Sequence, residues 1–146
     1  MKFDDVKLLN EIRKNSRSSL TALAYKTDMP LSTVFKKVVR LENSGVISRN
    51  TALIDFEKIG HPFKVGIFLS TNKREDIEKY LREHPSINTL LKLSGDYDFY
   101  AEMVFRDLKH YQEFELFMKN SKIVKRHSLH FLSGIRQEAF EILGGP

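Results

Sequence analysis

At 146 residues, with 41% hydrophobic and 29% charged side chains, the chain has the composition of a globular protein of one domain or two small ones. The lack of cysteine excludes disulfides, a thiolate nucleophile and Cys-based zinc; no apolar run is long enough to span a bilayer, and the acidic start "MKFDDVKLLNEI" is no secretory signal, so a cytoplasmic location is expected. The net charge of +5 is unevenly placed: residues 1–50 hold ten Lys and Arg against five Asp and Glu, whereas residues 51–146 hold fourteen of each, which points to a first part that meets a polyanion.

In chain order, "DDVKLLNEIRKN" sets Val6, Leu9 and Ile12 at helical spacing behind Asp4 and Asp5, whose carboxylates favour a helix N-terminus. After a break at Asn15 to Arg17, "SSLTALAYKT" places Leu20, Leu23 and Ala24 on one face behind a serine cap. In "TDMP", Thr27 or Asp28 is expected to cap a third helix, with Pro30 in its first turn. That helix, residues 30–44, carries the stripe Leu31, Val34, Val38 and Leu41 until Gly45 ends it. With the stripe inward, Ser32, Thr33, Lys36, Lys37 and Arg40 form a basic, hydroxyl-bearing face toward solvent.

Two helices, a short turn and a third helix with such a face match the helix-turn-helix arrangement, in which the last helix enters the major groove of double-stranded DNA. Arg17 is a candidate extra clamp on the phosphate backbone. A charged helix face is ordinarily just a solvated one; the charge asymmetry and the turn spacing favour DNA binding here. Phe35 has two readings, packing against the following strand or touching a thymine methyl, and packing is expected.

"GVISRNTALIDF" reads as a β-ribbon or wing, with Arg49 at its tip in reach of a phosphate, and "EKIGHP" as a connector. "FKVGIFLST" alternates Val65, Ile67 and Leu69, and "REDIEKYLREH" puts Ile77, Tyr80, Leu81 and His84 on one side of a helix. "SINTLLKLS" and "DFYAEMVF" are strands around "GDYD"; "DLKHYQEFELFMK" is a helix with Leu108, Tyr111, Phe114 and Met118 inward and Asp107 as cap; "KIVKRHSLHFLS" is a last strand. The fold class is α+β: a winged helix-turn-helix domain, then a βαββαβ ferredoxin-like αβ-sandwich. The expected partition is 1–52, a connector at 53–62, and 63–146. The sheet face away from the helices would carry Phe68, Tyr100, Val104 and Leu132, and a second copy of the chain is the simplest cover.

"SGDYDF" has two readings as well. Gly95 and Asp96 are what a tight hairpin requires. Tyr97 and Asp98 are less well explained that way, and a carboxylate beside backbone donors suits the charged ends of an amino acid, with Ser128 and Ser133 as weaker candidates. His127 and His130 point to opposite faces of a strand, so no shared metal is expected; His61, His84 and His110 read as boundary or solvent residues. No phosphate-binding glycine loop or nucleophile elbow is present, and no cofactor is expected.

Taken together, "NSRSSLTALA" (15–24), "STVFKKVVRLENSGVI" (32–47), "ALIDFEKIG" (52–60) and "LSGDYDFYAEMV" (93–104) resemble the Lrp/AsnC, or feast/famine, regulators nearly end to end. The resemblance implies a DNA-binding transcription regulator, not an enzyme, that dimerises through its ferredoxin-like domain. It also implies larger rings such as octamers, and an amino acid or related effector held near the Gly-x-Tyr-Asp turn. Three features depart from the family pattern: Pro30 stands where a serine is usual, Arg49 and Asn50 replace a glycine-aromatic pair, and the tail "GIRQEAFEILGGP" is short and poorly matched. Tetrapyrrole decarboxylases resemble the same two-domain arrangement, which leaves an enzyme as one alternative. An architectural DNA-binding protein indifferent to sequence and effector is another.

Overall fold

Three helices, α1 (Phe3–Lys14), α2 (Leu20–Thr27) and α3 (Leu31–Asn43), build the first unit of the computed structural model, which describes residues 2–121, 123–131 and 140–143. α1 begins with Asp4 and Asp5 and ends with Arg13 and Lys14, the order that complements a helix dipole. Ser19 caps α2, its Oγ accepting from the Ala22 N–H at 3.1 Å. Asp28, left-handed at φ 57°, closes the same helix while the Met29 N–H donates to the Ala24 carbonyl at 3.1 Å. Thr27 and Asp28 therefore do not cap α3 as expected. The Thr27 hydroxyl donates back to the Leu23 carbonyl at 2.6 Å, and the cap position falls to Pro30, whose carbonyl accepts from Thr33 and Val34 at 2.9 and 3.0 Å.

The apolar stripes converge on Leu8, Leu9, Leu23, Val34 and Leu41, with Ile12, Leu20, Met29, Val38 and Ile47 around them; Leu31, expected in the stripe of α3, opens that helix half-exposed and outside this cluster. Ile142, from the far end of the chain, joins this cluster. Asn10 holds it by a two-way clamp: its Nδ2 donates to the Ile142 carbonyl at 2.9 Å and its Oδ1 accepts from the Ile142 N–H at 2.8 Å. Arg13 Nε donates to the Phe140 carbonyl at 3.1 Å. The described tail thus belongs to the first unit, and the second unit starts at Ile54, which differs from the expected connector at 53–62 and from an unbroken 63–146. Short polar-rich tails carry no periodicity that would announce such a return.

The expected wing strands over 45–56 are not formed. Gly45, at φ 74°, ends α3, and the Ile47 N–H donates to the Leu41 carbonyl at 3.1 Å. Beyond that Val46, Leu53 and Ile54 stay exposed. Alternation alone makes no ribbon without a partner strand for the backbone groups.

The second unit runs β1 (Phe63–Thr71), α4 (Arg74–Glu83), β2 (Ile87–Lys92), β3 (Phe99–Phe105), α5 (Leu108–Asn120) and β4 (Ile123–His130), the expected strand and helix order. The sheet is antiparallel in the order β2-β3-β1-β4, with Ile67 opposite Ala101 and Ser128. Val65, Ile67 and Leu69 of β1 and Phe99, Ala101, Met103 and Phe105 of β3 face Ile77, Leu81, Tyr111, Phe114 and Met118 of the two helices in one core. Asp107 caps α5, accepting from the His110 N–H at 3.0 Å. Leu108, expected inward, opens the helix half-exposed. On the other sheet face, Phe68 lies against Tyr100 at 4.9 Å between ring centroids, and Lys64 pairs with Glu102 at 3.2 Å and sits over the Phe131 ring. Val104, expected there as open surface, is buried and shares a depression with Phe56 and Ile59 of the preceding turn. Leu132 lies outside the described residues.

Candidate nucleic-acid interface and ligand turn

α3 is positioned by a buried carboxylate. Asp5 of α1 is only 3% exposed, and its Oδ1 is 2.7 Å from both Lys37 Nζ and Arg40 Nη2. The Lys37 ammonium, first, and the Arg40 guanidinium hold the Asp5 carboxyl at a pKa of about 2, against the opposing effect of burial. Lys37, expected on the solvent face, has a side chain only 14% exposed; it lies at the border of the packed stripe and ties α3 to α1. Arg40 is half-exposed and presents the rest of its guanidinium outward. Ser32 and Lys36 are exposed and Thr33 half-buried, so Ser32, Thr33, Lys36 and Arg40 remain together on one outward surface. Arg17 precedes the α2 cap by two residues and is exposed, as is Arg49 in the segment after α3. Phe35 does not pack on a following strand; it is 54% exposed.

The turn between β2 and β3 depends on Gly95, whose φ of 110° is a region L side chains rarely adopt. The Leu93 N–H donates to the Asp98 carbonyl at 2.8 Å, and the Asp98 N–H to the Leu69 carbonyl at 2.9 Å. The Asp98 carboxylate is used internally. Its Oδ2 accepts from the Thr71 N–H at 2.9 Å and the Ser70 hydroxyl at 3.1 Å, and its Oδ1 pairs with Arg74 at 2.6 Å. Those partners, the Thr71 backbone donor above all, lower its pKa. Asp98 is thus a latch from the turn to the β1–α4 connection. The rim is different: Asp96 is exposed 3.7 Å from Lys125 Nζ, which lies 4.6 Å from the centre of the Tyr97 ring. Tyr97 in turn rests against Phe68 at 5.6 Å. Ser128 pairs in register with Ile67 on the helix-facing side of the sheet, so its side chain is not at this rim. Ser133 lies outside the described residues. Among the described residues no three His, Asp or Glu side chains gather as a metal site.

Residues 5–48 match the winged helix-turn-helix DNA-binding profile, and residues 64–138, about half the chain, match the Lrp/AsnC ligand binding domain. The chain belongs to the Lrp/AsnC family. It is 30% identical over 123 residues to the DNA-binding transcriptional activator DecR of Escherichia coli, covering 80% of both chains. An HTH-type transcriptional regulator of Pyrococcus horikoshii is 25% identical over 94% of this chain and 95% of its own. Among solved structures, a transcriptional regulator of Neisseria meningitidis in complex with L-Met superposes with a TM-score of 0.86 at 21% identity, covering 98% of this chain and 96% of that one. As an Lrp/AsnC protein the chain is a DNA-binding transcription regulator with a helix-turn-helix and a ligand-binding domain. Among its described residues no helix is long and apolar enough to cross a membrane.

Sequence reasoning gave Asp5 only a place beside the α1 dipole, not its pairing with Lys37 and Arg40, and it passed over Arg74 and Lys125. Asp5 had a readable signal, since it sits one turn before the buried Leu8 and Leu9 and so on the packed side of α1, where a carboxylate needs a cation. Arg74 and Lys125 had none, because their approach to the turn depends on strand order.

Proposed function

We propose that this Lrp/AsnC protein is a sequence-specific regulator whose helix α3 enters the major groove, with Ser32, Thr33, Lys36 and Arg40 as its reading and clamping residues and Arg17 and Arg49 as backbone contacts. The carrying observation is the outward surface of α3, where Ser32, Lys36 and Arg40 remain exposed after Val34, Val38 and Leu41 are packed. Lys37 contributes by holding the angle of α3 through Asp5, with its charge already engaged. Repeated selection of the purified protein on a randomised duplex library is expected to converge on a two-fold symmetric site. Lys36→Ala should weaken binding across all sequences and lower the salt slope by about 0.9 for each phosphate it no longer neutralises. A library that never converges would remove sequence specificity and favour an architectural role.

In this reading a zwitterion such as an amino acid is the effector. Asp96 and Lys125 supply opposite charges at the rim, Tyr97 supplies an apolar wall, and Gly95 shapes the turn. Asp98 acts by holding the turn. Support comes from the ligand-binding profile over 64–138 and from the L-Met complex of the Neisseria meningitidis regulator. Thermal-shift titration with each of the twenty amino acids is expected to raise the melting temperature for a subset, and Asp96→Asn with Lys125→Ala to abolish that rise. A rise that persists in the double variant would move the ligand elsewhere.

A further inference from the structure

The exposed surface of α3 is two parallel rows, only one of which is polar. At helical geometry of 100° per residue, Ser32, Lys36 and Arg40 form one row, and Leu31, Phe35 and Val39 form the neighbouring row at the same four-residue interval. The second row is apolar and open to solvent, with Leu31 50%, Phe35 54% and Val39 38% exposed. It is not the edge of the core, which takes Val34, Val38 and Leu41 from this helix. Glu42 follows on the apolar side at the C-terminal end of the helix, so the row is uncharged over its first two turns, the part that meets base edges in a helix-turn-helix.

We propose that Phe35, flanked by Leu31 and Val39, reads the C5 methyl of thymine, so that the half-site carries one or two T·A pairs under this row. The inference rests on α3 lying in the major groove, as proposed above. It adds the class of base read. Phenylalanine offers no donor or acceptor to O6, N7, N4, N6 or O4 of the bases, and leaving those groups facing a ring costs their water without replacement. The thymine methyl is the apolar feature of the major-groove edge. A cytosine at that position would present its N4 donor to the ring, adenine its N7 acceptor and N6 donor, and guanine its N7 and O6 acceptors. The adjacent row fixes register by phosphate and base-edge contacts from Lys36, Arg40 and Ser32, which carry the affinity that an apolar row cannot supply.

The test replaces thymines of the selected site one at a time by deoxyuridine, which removes the methyl and nothing else, and measures affinity of the full-length protein by fluorescence anisotropy. At one or two thymines per half-site, the wild type should bind deoxyuridine roughly three- to fivefold more weakly, as loss of one buried methyl implies. Phe35→Ala should bind the thymine and deoxyuridine probes equally. A wild type indifferent to every replacement overturns the inference, as does a penalty that survives intact in Phe35→Ala. Lys36→Ala on the same probe separates the two readings: if it binds as tightly as wild type, α3 is not in the groove. If it binds weakly while deoxyuridine has no effect, only the methyl reading fails and the apolar row serves a protein contact instead.

Discussion

Asp5 is the residue whose surroundings say most about its role. A carboxylate with two cationic partners inside a small helical unit fixes the rotation of α3 about its axis, because Lys37 and Arg40 lie one turn apart on the same side. Its folded pKa, about 2, is below the ordinary value of 3.8. A depressed acid contributes stability that is fully present above the unfolded value and lost as pH falls through the folded one, so the contribution disappears between about pH 4 and pH 2. The difference between those two pKa values corresponds to about 1 to 2 kcal/mol once the half-exposed Arg40 is allowed for. Asp5→Asn should lower unfolding free energy at pH 7 by that amount, measured in urea, and should flatten the acid limb over the same window. An unchanged midpoint in the variant would mean that the two cations find water as good a partner.

Among the elements, the stripe of α3 and the alternation of β1 were legible because each repeats at the period of its own backbone. Lys37 was not, since helical position alone leaves a border residue undecided and the decision lies with α1. From this follows a contrast between neighbours. Lys37→Ala should reduce the stability of the helical unit by about 1 kcal/mol or more, by leaving the Asp5 carboxylate with one cation fewer, and it should leave the salt slope of DNA binding unchanged. Lys36→Ala should do the reverse. Paired thermal melts and salt titrations check both, and a Lys37→Ala protein with wild-type melting and a shallower slope would assign Lys37 to DNA after all. The wing illustrates another limit: "GVISRNTALIDF" has strand-forming residues, but a strand is a pairing, and no partner strand lies among the described residues there.

For the whole molecule, the tail and the outer sheet face matter most. Asn10 makes with Ile142 the same two hydrogen bonds that a neighbouring strand would make, and the Ile142 side chain enters the cluster around Leu9 and Val34. A chain ending at residue 139 should therefore lose stability in the helical unit, and Asn10→Ala should reproduce part of that loss, about 1 kcal/mol per unpaired bond. Amide exchange in α1 reads it directly; protection unchanged by truncation would make the docking incidental. The outer face presents Phe68, Tyr100, Leu129 and Phe131, and Gly66 allows the Phe131 ring and the Tyr100 hydroxyl to close over it, where an added Cβ would come within 3.0 and 3.1 Å. Such an apolar surface fits a second copy of the chain. Leu129→Asp should shift the sedimentation coefficient toward that of a monomer, and an unchanged value would place the assembly surface elsewhere.

Periodicity, turn residues and the distribution of charge along the chain were enough to set the order of the five helices and four strands among the described residues, though not the absent wing, most of the two cores, and the outward face of α3 apart from Lys37. The family was legible as well, through two modules in the right order. Only the folded arrangement showed which charges are spent inside the protein: Asp98 on Ser70, Thr71 and Arg74, and Lys37 on Asp5. The same holds for Ile142 closing the first core, Phe35 being left in water and Lys125 standing over Tyr97. The physical reason is common to all of these. A side chain's partner is set by which distant segments are brought within hydrogen-bond or van der Waals reach, and sequence spacing holds no record of that approach.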